Sequence, residues 1–500
     1  ALARRNMVLG RMLANNMITA EEHAAAIATP LVPKRAPEPE GGIYKAHYFV
    51  AHVKKILQQQ FEEALVFKGG LTVHTTLDTR KQAMAEASVN SSLDRPGDPD
   101  CSLVSIDPRN GHIIALVGGR DFSKNKFNLA TQGKRQPGSS FKTFVLVTAL
   151  ENGMPPNRYI DSSSPANIPS EPVWKVSNSE GSGRGMITLD SATRSSVNTV
   201  FARLIWDLND KKETGAAKVV KVAKRMGILT KLSPYPSLAL GSQNVSPLEM
   251  ASAYGTLATN GKYVAPVAVT KVIDVDGNTI METEPEPVQA LEPEIAYAAT
   301  TILKGVISNG TARRAQIGRP AAGKTGTSQN YRDAWFVGYT PQLVTSVWVG
   351  YYQAETPMRS VHGARGFGGT LAAPIWAKFM KQALADEKKL DFPVEAKPKY
   401  RWKSTWDSKT TVPALTGMTQ ASVLAAADKA GFKVAFTEAY SDTVPAGVSI
   451  TQSPAGGTKL KQDGTITVII SKGKPPAPVV PPPPAEEPPP PPPPSETTSP

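Results

Sequence analysis

The apolar positions of the chain change period several times along its length, and each change marks a boundary. Near the start, Met7, Val8, Met12 and Leu13 fall on one helical face, Asn15-Asn16 closes that helix, and Thr19 with Glu22 forms a capping box opening a second. Two helices this short bury no core. Residues 1–35 therefore read as the end of a domain whose body lies upstream. After a Pro/Gly/charge linker at 30–42, Ala46 to Leu65 is again helical and Leu71 to Thr76 alternates as a strand, so 36–100 reads as a linker or interdomain region. From Cys101 the pattern becomes strands around turns: Leu103 to Ile106, a turn over Asp107 to Gly111, then His112 to Val117. Further strands are predicted at Val267 to Asp274 and Ala334 to Val349, and helices at Phe141 to Leu150, Val197 to Leu208, Leu248 to Thr259 and Glu294 to Ile307. The mixture predicts an α+β domain over 101–387. A polar linker at 388–410 leads to a compact unit over 411–473, with a helix at Thr419 to Ala430 closed by Gly431 and a hairpin at Asp463-Gly464 before Ile466 to Ile470. Residues 474–500 are Pro-rich and read as extended polyproline or disorder.

Composition narrows the class. Five hundred residues exceed one hydrophobic core and suggest about three units. The 40% hydrophobic and 20% charged content is ordinary for globular protein, and the 44 prolines gather near the end. A net charge of +13 suits nucleic acid, an anionic envelope polymer or a carboxylate-bearing substrate. The cations are scattered and no basic run is interleaved with aromatics, so nucleic acid is set aside. Cys101 is the single cysteine, which precludes an internal disulfide and reads as a small buried side chain. The six histidines form no HExxH or Cys/His pattern, so neither a metal nor a cofactor is expected. No run of 18 apolar residues occurs and the start lacks signal-peptide order, so an exported protein would have lost its targeting segment.

Candidate chemistry rests on three motifs in order: Ser139-Ser-Phe-Lys142, Ser196-Val-Asn198 and Lys324-Thr-Gly326. Ser-x-x-Lys and Ser-x-Asn recur elsewhere in the chain and are weak singly. Lys-Thr-Gly occurs once, and one assignment places a Ser-x-Asn at a predicted helix 57 residues after the Ser-x-x-Lys, with Lys-Thr-Gly 128 later. Pro137-Gly138 stops the preceding loop and Ser139 opens a helix, whose free N–H groups would stabilise an alkoxide and a developing oxyanion. Lys142, one turn on, sits among Phe141, Phe144, Val145, Leu146 and Val147. Burial there would depress its pKa, as a general base requires. Ser140 should face away. By residue type, Ser196 would relay a proton, Asn198 hold a substrate amide, and Lys324 with Thr325 and Thr327 bind a carboxylate. Gly326 would let a substrate backbone approach the strand. Strict alternation puts Lys324 and Thr325 on opposite faces, so both reach one site only at a twisted or edge strand.

Over Cys101 to Met380 the chain resembles the transpeptidase domain of class A penicillin-binding proteins. The resemblance rests on the three motifs and on Ser105-Ile-Asp-Pro-Arg-Asn-Gly111, Arg135-Gln-Pro-Gly-Ser139, Ser246-Pro-Leu-Glu-Met-Ala-Ser-Ala-Tyr254 and Asp333-Ala-Trp-Phe-Val-Gly-Tyr-Thr340. It implies an antiparallel sheet flanked by helices, and a helical subdomain carrying Ser196. It also implies acylation of Ser139 by a D-Ala-D-Ala stem peptide and transfer to a neighbouring amine, with β-lactams trapping the same serine. The oxyanion hole would come from the backbone N–H groups of Ser139 and Thr327. Residues 1–35 resemble the last helices of the family's glycosyltransferase domain, whose catalytic glutamates would lie upstream, so glycan polymerisation is not expected of this chain. Thr411 to Gly473 resembles a PASTA module, a type linked to muropeptide or β-lactam binding. The implied setting is the extracytoplasmic face of the bacterial membrane, reached through an anchor upstream, with stem peptides, β-lactams and other wall-synthesis proteins as partners. A D,D-carboxypeptidase and a non-catalytic wall receptor are the rival readings.

Overall fold

A computed structural model of the chain describes residues 2–30, 45–179, 181–353, 356–402, 409–461, 464–476 and 490–491. Most of the expected linker after Pro30 and most of the Pro-rich tail lie outside the described residues.

The main domain is built on a five-stranded sheet in which every neighbouring pair is antiparallel. Its strands are β1 (Asp100–Ile106), β2 (Ile113–Val117), β3 (Ala322–Thr327), β4 (Asp333–Tyr339) and β5 (Val344–Gly350), in the order β3-β4-β5-β1-β2. Strands β4 and β5 are buried along their whole length, which explains their unbroken apolar runs. The helices that matter for the site are α1 (Thr79–Asn90), α2 (Lys142–Glu151), α3 (Leu189–Arg194), α4 (Asn198–Asp207), α5 (Pro247–Ala258), α6 (Pro293–Ser308) and α7 (Ala372–Ala383). Helices α5 and α6 pack together against one part of the sheet and α1 and α7 against another, with α2 lying on α6. Helix α5 starts sharply because Ser246 and Glu249 close a reciprocal capping box and Pro247 occupies the first turn. One core runs from Tyr48, Phe49 and Val53 through Ala85 and Val89 to Trp335, Trp348 and Trp376, so the segment before Cys101 contributes to it.

The capping box at Thr19 and Glu22 is present, flanked by helices Leu2–Ala14 and Ala20–Ala28. Elsewhere the sequence reading needs correction. Ala334 to Val349 is two strands, because Thr340 and Leu343 close a turn between them. The helix expected over Ala46 to Leu65 ends at Gln60, and a second runs over Glu63–Lys68. Helices α1, α7 and Gly215–Met226 were not anticipated. No helix among the described residues is long and apolar enough to cross a membrane.

The C-terminal unit has its own core of Val412, Leu415, Val423, Ala427, Phe432, Ile466, Val468 and Ile470. Its helix spans Gln420–Lys429, capped by the Thr419 hydroxyl accepting from Ser422 N–H. Strand Thr465–Ser471 pairs in parallel with Lys433–Ala439 and antiparallel with Ser449–Ser453. The turn expected at Asp463-Gly464 lies partly outside the described residues; the strand before it, Lys459–Lys461, pairs with Lys409–Thr411.

Candidate active site

Ser139 lies in a tight 3-10 turn, Gly138–Phe141, that runs straight into α2 at Lys142. Gly138 takes a left-handed φ of 54°, and a Cβ there would fall 2.4 Å from the carbonyl oxygen of Thr327. Only glycine lets the nucleophile turn press so closely on the end of β3. Gly326 has a matching role: a Cβ at that position would stand 2.2 Å from the Pro137 carbonyl. The absence of a side chain at Gly326 therefore lets the chain's own turn approach this strand closely. Trp335 Nε1–H donates to the Gln136 carbonyl at 2.8 Å. Arg135 donates through Nε to Asp333 at 2.8 Å, and Asp333 also accepts from Trp348 Nε1 at 2.9 Å and from the Ser328 hydroxyl at 2.6 Å. From the other side, Tyr254 of α5 donates to the Ser140 carbonyl at 2.6 Å. Ser140 itself is fully buried and bonded to Pro137, facing away as expected.

Helix α2 is buried from Lys142 through Leu150. Lys142 Nζ reaches the Ser196 carbonyl at 2.7 Å, the Ser196 hydroxyl at 3.3 Å and Asn198 Oδ1 at 2.7 Å. Lys324 Nζ reaches the same Ser196 hydroxyl at 2.9 Å and the Thr325 carbonyl at 3.1 Å. Both lysines are 0% exposed. Burial, reinforced by the charge of Lys324, drives the Lys142 pKa well below its ordinary value, and burial alone brings Lys324 down to about 7. The structure thus gathers Lys142, Ser196, Asn198 and Lys324 into one cluster, one helical turn from Ser139. Asn198 has both ends of its amide engaged, since Nδ2 donates to the Ser177 carbonyl at 3.1 Å.

Strand β3 is the edge strand of the sheet, the condition under which Lys324 and Thr325 can both serve one cleft. The Thr325 hydroxyl shares a 2.6 Å hydrogen bond with the hydroxyl of Thr311, and Thr327 Oγ1 accepts from Gly368 N–H at 3.2 Å. Ser196 departs from expectation. It is not helical but occupies the turn between α3 and α4 with φ 58°, a left-handed conformation that serine seldom adopts. Tyr254 and Thr311 were missed as contributors. Tyr254 closes one of the quoted family-like segments, whereas Thr311 carries no local signal. Far from any motif, Asp94, Asp98 and His362 lie together, with His362 Nε2 2.9 Å from Asp98, an arrangement that the hydrogen bond itself accounts for.

A buried Ser/Lys/Lys cluster thus lies at the edge of an antiparallel sheet flanked by helices. The family model described as "Penicillin binding protein transpeptidase domain" matches residues 101–381, so the chain belongs to the penicillin-binding protein transpeptidase family. A PASTA domain matches residues 410–472. Among curated relatives, penicillin-binding protein 1A of Aquifex aeolicus is 31% identical over 76% of this chain and 62% of its own length. That of Neisseria lactamica is 37% identical over 57% of this chain and 36% of its own. The chain thus spans between about a third and just under two thirds of these proteins. Among solved structures, the penicillin-binding protein PonA1 of Mycobacterium tuberculosis superposes with a TM-score of 0.64 at 32% identity, covering 71% of this chain and 96% of that one. It has also been solved in complex with penicillin V.

Proposed function

We propose that the chain is a serine D,D-transpeptidase of cell-wall peptidoglycan synthesis, with Ser139 as the nucleophile. The observation that carries this reading is the convergence of two buried lysines on the Ser196 hydroxyl, one of them Lys142, which follows Ser139 by one helical turn along the chain. Lys142 in its neutral form takes the proton from Ser139 Oγ as the new C–O bond forms at the carbonyl of the penultimate D-Ala. The backbone N–H groups of Ser139 and Thr327 face the developing oxyanion. The proton passes through Ser196 to the departing nitrogen as the C–N bond breaks and the terminal D-Ala leaves. Attack by an amine of a neighbouring stem then reverses the sequence: its proton goes to Lys142, the new amide forms and Ser139 is released protonated. Lys324, with the hydroxyls of Thr325 and Thr327, holds the substrate carboxylate. Asn198 anchors Lys142, and it takes up a substrate amide by exchanging its bond to Ser177. A β-lactam opens its ring amide on Ser139 by the same steps, but its nitrogen stays tethered, so the acyl-enzyme persists. On this reading the chain works on the wall at the outer face of the bacterial membrane.

Intact mass after incubation with benzylpenicillin tests the assignment. The expected result is one stable adduct on the wild type and none on Ser139→Ala. No adduct under any condition would remove the enzymatic reading, and fast drug turnover without an accumulating adduct would replace it with a β-lactamase.

A further inference from the structure

We propose that Asn178 is a positioning residue that holds the Ser196–Asn198 turn in its working geometry, an inference that rests on the transpeptidase reading above. Ser196 sits in a left-handed backbone conformation, which persists only where the surroundings over-determine it. Helix α4 begins immediately after it, yet Val197, in the capping position, offers no side-chain acceptor to the free N–H groups of the first turn. Asn178 supplies that acceptor from a distant loop: its Oδ1 takes the N–H of Thr199 at 3.0 Å. The other end of the same amide donates to the Ser162 carbonyl at 3.1 Å and the Ser182 carbonyl at 3.3 Å. Ser162 is fully buried, and its carbonyl also accepts from the Thr199 hydroxyl at 3.0 Å, so Thr199 is tied twice to the same strap. Next to Asn178, the Ser177 carbonyl holds Asn198 Nδ2, and Asn198 Oδ1 in turn holds Lys142 Nζ.

The loop around Asn178 therefore holds Asn198 through the Ser177 carbonyl and the first turn of α4, which follows Ser196, through Thr199. Loss of the Asn178 amide frees the first turn of α4, lets Ser196 relax toward an unstrained backbone and loosens the seat of Lys142.

The test compares second-order acylation rates with benzylpenicillin. Asn178→Ala is expected to lower the rate about tenfold, the value of one helix cap expressed as a barrier. In a Ser196→Ala background the hydroxyl is gone but the Ser196 carbonyl and Asn198 still seat Lys142, so the same substitution is expected to lower the rate by clearly less than in the wild-type background. A general loss of stability would act equally in both backgrounds, so that equality would overturn the proposal. An Asn178→Ala rate indistinguishable from wild type would also overturn it. Asn178→Ser carries the same comparison if the alanine variant does not fold. Absence of acylation in the wild type would instead overturn the transpeptidase reading itself.

Discussion

Replacement of Lys324 by methionine should move the acidic limb of the acylation pH profile toward higher pH. Burial and the charge of Lys324 both lower the Lys142 pKa, and burial brings that of Lys324 down to about 7, so a charge on Lys324 opposes protonation of Lys142. Their nitrogens lie 2.9 and 3.3 Å from one hydroxyl oxygen. Two charges so placed are roughly 5 Å apart and repel by about 3 kcal/mol at an effective dielectric of about 20. In Lys324→Met the repulsion is gone, Lys142 holds its proton to higher pH, and the limb shifts alkaline. The plateau falls as well, because the carboxylate partner is lost, but amplitude and limb position are separable in one profile. The assay is the second-order rate of labelling by a fluorescent penicillin from pH 5 to 10. A limb that stays at its wild-type position, or moves acidic, would refute the idea that Lys324 tunes the base. Stability offers an independent check. A buried lysine at about 7, against about 10.4 unfolded, leaves the folded protein with fewer protons across that window. Its contribution to stability therefore rises with pH from about 7 to about 10 and is lost as pH falls through the window; Lys142, also depressed, adds a slope of the same sign, so Lys324→Met should reduce the slope and leave the part due to Lys142.

Other substitutions probe the frame around the nucleophile. Gly138→Ala forces a side chain into a left-handed φ and onto the Thr327 carbonyl, and should destabilise the domain by about 2–4 kcal/mol with a matching loss of acylation, read by thermal melting and labelling. Asp333→Asn leaves the Arg135 guanidinium without its buried countercharge; it should cost about 3 kcal/mol and lower the melting temperature by about 5 °C, whereas the double change Arg135→Met/Asp333→Asn, which removes the charge and keeps an acceptor for Trp348 and Ser328, should recover much of the loss. Leu415→Ala, in the separate core of the C-terminal unit, should destabilise that unit by about 3 kcal/mol and leave penicillin labelling unchanged; coupled loss of labelling would mean that the two cores do not unfold independently.

The elements legible in the sequence are those whose signals are local. The capping box at Thr19 and Glu22, the apolar sheath of Lys142, the turn at Asp107 to Gly111 and the helix after Thr419 are each specified within a few residues, and each is present. What failed depended on partners far along the chain. The strand Thr465–Ser471 looked like the second arm of a hairpin, but its better partner is Lys433–Ala439, joined through a crossover that no turn residue announces. Helix α1 was missed because its apolar face is made of small residues, Ala85 and Val89, which become core only once α7 covers them.

The same division runs through the active site. Residue types alone identified Ser139, Lys142, Ser196, Asn198 and Lys324 as candidates, and four of these five meet through side-chain or backbone atoms. The sequence could not show how those atoms come to meet. Ser196 read as helical because the apolar pattern of α4 begins beside it, yet a helical Ser196 would continue α4 backward and carry its hydroxyl around the helix. The left-handed turn instead points its carbonyl and its hydroxyl at the same lysine. Gly326 read as a place of close approach because a lone glycine in a strand implies one, and the Pro137 carbonyl of the chain's own turn does lie close against it. A motif fixes which chemistry is available at a position. The packing of segments more than a hundred residues apart decides what that chemistry faces.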